Sequence, residues 1–97
     1  MNFVDFESSL SQAVAPDELT NALNALWYAG KGDWNTAHHY CQKEEGTADS
    51  DWVHAYLHRE EKDLPNSRHW YRRAGREMPE CSLKEEWDAI VAEMLIR

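Results

Sequence analysis

The stretch WVHAYLHREEKDLPNSRHWYRRAGREMP, residues 52–79, predicts two helices joined by a tight turn. Apolar residues recur at helical spacing on both sides of Asp63-Leu64-Pro65, where a capping acid followed by proline is typical of a helix start. The stretch holds two of the five Trp, three of the five His and six of the ten basic residues. We therefore expect the rest of the chain to be organised around this hairpin.

A weaker copy of the hairpin precedes it, because a shift of thirty residues aligns residues of similar kind. Helical hairpins repeated at a fixed period are typical of stacked-repeat proteins, in which neighbouring units bury each other's faces. We place the first hairpin at residues 16–46 and the second at 50–79. The aligned pairs are Ala25 with Ala55, Asp33 with Asp63, Trp34 with Leu64, Ala37 with Ser67 and His39 with His69.

Two further helices complete the prediction. The spacing of Phe3, Phe6, Leu10 and Val14 predicts an N-terminal helix over residues 1–15, and Pro16 is expected to start the next one. Ser82 and Glu85 match a capping box, so a C-terminal capping helix is expected over residues 82–97, with its acids mostly off the apolar face. No segment alternates with period two. The prediction is one all-α domain over residues 1–97.

The second hairpin resembles a tetratricopeptide-type repeat, and the resemblance covers about residues 19–79. Ala55 and Ser67 match the small residues of that family, and Pro79 matches its closing proline. The resemblance implies two stacked tetratricopeptide-like hairpins that bind a peptide or protein on the inner face of the first helix of each hairpin. On the second copy those positions are Trp52, Tyr56 and Arg59. The strings HAYLHRE and WYRRAGR also resemble those of short bacterial proteins of unknown function.

Composition narrows the classes of function. The formal net charge of −8 disfavours binding to nucleic acid or to an anionic membrane. No apolar run is long enough to span a bilayer, and the acidic start lacks the features of a signal peptide. The two cysteines have no metal-ligand spacing, so we expect free thiols in the cytoplasm and no cofactor.

Three histidines form a candidate metal site. His54 and His58 are four residues apart, which places both rings on one face of a helix, and His38 in the neighbouring hairpin is a candidate third ligand. The alternative is that these residues pack in the core and bond to a carboxylate or carbonyl. The sequence does not decide whether His38 approaches the other two.

Arginines and one cysteine give further candidates. Arg68, Arg72 and Arg76 follow one another at four-residue steps, a pattern that suits recognition of carboxylate or phosphate. Pairing with nearby acids is the alternative. Cys41 has His38 one turn before it, but no motif indicates an oxyanion hole, and no catalytic residue is assigned.

The sequence favours a non-catalytic module that binds a protein or peptide partner through Trp52, Tyr56 and Arg59, with Arg68 and Arg72 as additional candidates. Two alternatives stay open. One is a metal-binding protein that uses His54 and His58, and the other is a structural protein that associates with itself as a homodimer.

Overall fold

The computed structural model describes residues 1–97 and contains six helices and no strand. The predicted all-α fold is therefore confirmed. None of the helices is long and apolar enough to cross a membrane. The helices are α1 (Phe3–Ser9), α2 (Asn21–Gly30), α3 (Trp34–Lys43), α4 (Ala48–Glu60), α5 (Leu64–Arg73) and α6 (Leu83–Leu95).

Helices α2 and α3 form the first hairpin, and α4 and α5 form the second, with the same turn between their helices. The backbone N–H of Asp33 donates to Tyr28 O at 2.9 Å, and that of Asp63 donates to His58 O at the same distance. Each Asp then caps the following helix through its side chain. The thirty-residue offset seen in the sequence is thus an offset between equivalent turns.

Small residues let the two helices of each hairpin approach closely. Ala25 and Ala37 in the first hairpin, and Ala55 and Ser67 in the second, are all fully buried. The hydroxyl of Ser67 donates to the carbonyl of Ala55 at 2.8 Å, which satisfies a polar group that would otherwise be costly to bury. The sequence alignment of these positions therefore reflects equivalent packing.

The hairpins stack on each other, and α6 closes the stack. The indole of Trp34 in α3 donates to the carbonyl of Leu57 in α4 at 2.8 Å. In α6 the indole of Trp87 donates to the carbonyl of Leu26 at 2.9 Å. Trp87 is also the centre of the contact with α1, since its ring lies 6.0 Å from that of Phe6. One core therefore runs through both hairpins and both terminal helices.

Three predicted helix boundaries are wrong, and each error has a local cause. Helix α1 ends at Ser9 rather than near residue 15, which leaves Val14 outside it and 71% exposed. Pro16 does not start a helix, because Glu18 has a positive φ of 65° and the side chain of Thr20 caps α2 instead. The second hairpin begins at Ala48 rather than at residue 50, with Thr47 as the cap of its first helix.

Candidate functional site

The structure brings His38, His54 and His58 together, and we call these three residues the histidine cluster. One ring nitrogen from each residue lies within 4.8 Å of one from each of the others. The Nε2 atoms of His38 and His54 are 2.9 Å apart. His54 and His58 are buried, while His38 is half-buried at the edge of the site. The register between the hairpins, which the sequence left open, thus places His38 beside the pair on α4.

Helix geometry and hairpin packing explain this convergence. His54 and His58 are one turn apart on α4, so their side chains lie on the same face. His38 reaches that face from α3, which is held against α4 by the hydrogen bond from Trp34 to Leu57. Because both helices belong to the packed core, the positions of the three rings are fixed by rigid elements rather than by a loop.

Two tryptophans hold the rings in place. The indole of Trp34 stacks on His38, with ring centroids 4.8 Å apart and an angle of 10° between the planes. The indole of Trp70 from α5 stacks on His54 at 4.0 Å and 19°. Stacking of this kind restricts rotation of the imidazoles and excludes water from their faces. The stacking of Trp70 on His54 could not be read from the sequence, because the two residues lie on different helices, whereas Trp34 lies one turn before His38 on α3.

His58 has a partner at each ring nitrogen. Its Nδ1 lies 2.7 Å from Glu61 Oε1, and its Nε2 lies 3.3 Å from the amide nitrogen of Asn66. A carboxylate accepts and an amide N–H donates, so this arrangement assigns the proton of the neutral ring to Nδ1 and a lone pair to Nε2. A carboxylate behind a histidine in this way is the usual outer support of a metal-bound imidazole.

His54 is the unsatisfied member of the cluster. Its Nδ1 is buried and has no hydrogen-bond partner. Burial, together with the nearby imidazoles of His38, His58 and His69, lowers the pKa of His54 to about 3. Burial and the neighbouring His58 also lower the pKa of His38. Both rings are therefore neutral near pH 7, so each keeps a nitrogen lone pair.

The residues predicted to contact a partner on α4 do not form a free surface. Trp52 is 6% exposed and Tyr56 is 4% exposed. Arg59 is paired with Glu86 of α6, with 2.9 Å between Nη1 and Oε1. The cause is that α6 packs against α4 and occupies the face that a peptide ligand was expected to occupy.

Glu86 is buried, although its charge predicts an exposed position on the last helix. It was expected to lie off the apolar face of the last helix, but it is only 3% exposed. Its carboxylate accepts hydrogen bonds from the hydroxyl of Tyr71 at 2.6 and 2.7 Å and from Arg59 at 2.9 Å. The spacing in the sequence does indicate this burial. Glu86 lies three residues after Leu83 and four before Ile90, which places it within the apolar stripe of α6.

Arg68 and Arg72 lie elsewhere, on the exposed side of α5. With Arg76 they line a surface depression of about 220 Å³. Neither Arg68 nor Arg72 forms an ion pair, whereas Arg76 pairs with Glu93 at 2.8 Å. Of these three arginines, only Arg76 therefore pairs with an acid of the chain.

Cys41 has no features of a nucleophile. Its side chain is fully buried beside Asp51, and burial followed by this carboxylate raises the pKa of the thiol to about 12. A thiol in this state packs as a small apolar residue. Cys81 is also a free thiol and is half-buried.

No protein-family model, curated protein or solved structure matches the chain. The resemblance to tetratricopeptide repeats therefore rests on the residues that carry it and stays a prediction. The geometry of the histidine cluster is therefore the basis for its proposed function.

Proposed function

We propose that this protein binds a divalent transition-metal ion through His38, His54 and His58, with zinc as the first metal to test. The observation that carries the proposal is the convergence of three imidazoles from two packed helices within 4.8 Å. Imidazole nitrogen is a preferred ligand of zinc, copper and nickel. A site of three histidines leaves the fourth tetrahedral position open to water or another ligand.

The distances in the cluster suit coordination after a small adjustment. Zinc bound at about 2.0–2.1 Å by each nitrogen separates tetrahedral ligands by about 3.3 Å. The His38–His54 distance of 2.9 Å is slightly shorter than this, and the 4.8 Å limit for the whole cluster is longer. Coordination of all three would move a ring nitrogen by on the order of 1 Å, so the stacked rings would have to shift slightly against Trp34 and Trp70 when the ion binds. In the metal-bound form the ion takes the place of the amide of Asn66 at Nε2 of His58.

A metal ion would strengthen the contact between His38 and His54. Two neutral imidazoles that face each other through Nε2 share a single hydrogen bond. Coordination through Nε2 of both rings replaces that contact with two strong bonds to the ion. Glu61 already holds His58 in the tautomer that presents Nε2.

The test is a zinc and cobalt titration of the untagged protein stripped of metal, followed by native mass spectrometry and isothermal titration calorimetry. We expect one ion per chain, and cobalt absorption bands typical of tetrahedral coordination. His38→Gln should lower the affinity at least tenfold, because it removes a ligand from the half-buried edge of the site.

His39→Gln is the matched control, because His39 is the next residue along α3, is exposed and lies outside the cluster. The His39→Gln variant should bind zinc with the same affinity as the unaltered protein. Equal losses in the two variants, or no saturable binding by the unaltered protein, would contradict the proposal. Circular dichroism of each variant checks that the fold is retained.

A further inference from the structure

Four of the six arginines form ion pairs within the chain, and the two that do not are Arg68 and Arg72. Both are exposed and lie one turn apart on α5. Like charges at this spacing repel each other along a helix. The chain has eighteen acids, yet none lies within ion-pair distance of these two guanidinium groups. The pair therefore forms no ion pair in the folded chain.

The helix dipole explains only part of this arrangement. Arg72 lies in the last turn of α5, where a positive charge is favourable. Arg68 lies in the middle of the helix, where the dipole has little effect because its influence is confined to the terminal turns. Arg68 therefore gains from neither an ion pair nor the helix dipole.

The depression beside these arginines adjoins a second one. The depression of about 220 Å³ is lined by Arg68, Arg72 and Arg76 together with Tyr71, Glu77 and Met78. A second depression of about 430 Å³ shares Arg76 and Glu77 with the first. Its walls include Trp52, Pro79 and Ala89 of the segment and helix that follow α5. We call the two depressions together the α5–α6 groove. It is basic at one end, and at the other it is lined by apolar residues together with Glu77 and Glu86.

We propose that the α5–α6 groove binds an extended acidic segment of a partner protein. A Glu or Asp carboxylate of the segment would be held between Arg68 and Arg72, and a neighbouring apolar side chain would occupy the second depression. Guanidinium groups suit carboxylates because they donate two parallel hydrogen bonds.

The shape of the groove favours a peptide over a free ion. Exposed arginines hold a single small anion weakly, since the interaction is screened by water and salt. A segment that follows both depressions adds apolar burial and further polar contacts to the ion pair. Nucleic acid is disfavoured as the partner, because the net charge of −8 repels a polyanion whereas a short peptide with one or two acids is affected much less.

The experiment uses the full-length protein and fluorescein-labelled peptides that alternate Glu and Leu, with a Gln–Leu peptide as the neutral probe. Fluorescence anisotropy should show saturable binding of the acidic peptide and at least tenfold weaker binding of the neutral one. Arg68→Glu and Arg72→Glu should each lower the affinity about tenfold or more, corresponding to the loss of one charge-assisted contact. Ala89→Glu should also weaken binding, because it places a carboxylate at the apolar end of the groove.

Lys43→Glu is the matched control, because it makes the same change of charge at an exposed position at the end of α3. It should leave the affinity for the acidic peptide unchanged. Absence of peptide binding, or equal weakening by Lys43→Glu, would overturn the proposal. Displacement of the peptide by an equal concentration of inorganic phosphate would overturn it as well, by assigning the arginines to a small oxyanion.

Discussion

The Nε2 atoms of His38 and His54 lie 2.9 Å apart, although the first belongs to α3 of one hairpin and the second to α4 of the next. The histidine cluster therefore spans the junction at which the hairpins stack. An ion bound there would link the two halves of the repeat directly, in addition to the packing of Trp34 against α4. Metal binding and folding should be coupled for this reason.

The first prediction is that zinc stabilises the protein against heat. A ligand that binds only the folded state adds about 2.7 kcal/mol to the free energy of unfolding at one hundred times its Kd. For a domain of this size that corresponds to an increase in Tm on the order of 10–20 °C. Differential scanning calorimetry with and without zinc measures the shift. His38→Gln should abolish most of it, and an equal shift in that variant would mean that zinc acts elsewhere.

Glu61 gives a second prediction, because it holds the Nδ1 proton of His58 and does not itself need to contact the ion. Glu61→Gln should weaken zinc binding by about 10- to 100-fold, which is typical for loss of the carboxylate behind a metal-bound histidine. Glu61 is partly exposed, so the variant should fold. The neighbouring Glu60→Gln is the control for the calorimetric titration, since Glu60 bonds to no histidine. The idea fails if both variants bind zinc as the unaltered protein does.

The third prediction concerns acid, and it applies to protein stripped of metal. The pKa of His54 falls from an ordinary value of 6.5 to about 3 on folding. Above pH 6.5 the ring is neutral in both states. Below pH 6.5 the unfolded chain takes up a proton that the folded chain excludes until about pH 3. Stability should therefore fall as the pH falls through this window, by up to about 1.36 kcal/mol per pH unit from His54 alone.

Urea denaturation at several pH values between 7 and 5 measures this slope. The groups that face His54 are His38 on α3, His58 on α4 and His69 on α5, and none of them is a carboxylate that would hold the proton. His54→Asn should reduce the dependence of the unfolding free energy on pH by close to the contribution of one proton. His39→Gln should leave that dependence unchanged. A stability that is flat over this range in the unaltered protein would contradict the prediction.

The sequence predicted the hairpins because their determinants are local. Asp33 and Asp63 cap the helices that follow them, and Ser82 with Glu85 forms the expected capping box. Each of these features depends on residues within one turn of the chain. The start of α4 was misplaced because Thr47, Ser50 and Asp51 are all good caps, and local chemistry does not choose among them.

The candidate sites were predicted less completely, because they depend on contacts between distant residues. The pairing of His54 with His58 follows from helix geometry, but the approach of His38 depends on how two hairpins stack. The burial of Trp52 and Tyr56 depends on where α6 packs, which no spacing in α4 reveals. The face that the repeat pattern assigned to a partner is filled by the last helix of the chain.

The fourth prediction comes from the repeated turn. Lys62 has a φ of 67°, a conformation that residues with a Cβ adopt at a cost, and Gly32 occupies the equivalent position of the first hairpin with a φ of 81°. Lys62→Gly should raise the free energy of unfolding by about 0.5–1 kcal/mol, as measured by urea denaturation. Gly32→Lys should lower it by a similar amount, because a Cβ there meets no atom within 4 Å and only the backbone is strained. Effects of the opposite sign would refute this reading of the turn.

The fifth prediction concerns Glu86, through which α6 contacts the second hairpin. Its buried carboxylate accepts from Tyr71 and pairs with Arg59, whose side chain is only 14% exposed. Glu86→Ala removes the acceptor of the Tyr71 hydroxyl and the carboxylate that neutralises Arg59, which keeps only the carbonyl of Cys81 as a partner. Removal of one member of a buried pair is costly, and we expect a loss of about 3 kcal/mol or more in urea denaturation.

Glu80→Ala removes an exposed acid just before α6 and should change the stability by less than about 0.5 kcal/mol. A double variant, Glu86→Ala with Arg59→Ala, separates the ion pair from packing. If the charge left on Arg59 is the main penalty, the double variant should be more stable than Glu86→Ala alone. A double variant that is less stable by the full sum of the single losses would show instead that Glu86 and Arg59 stabilise the fold independently of each other.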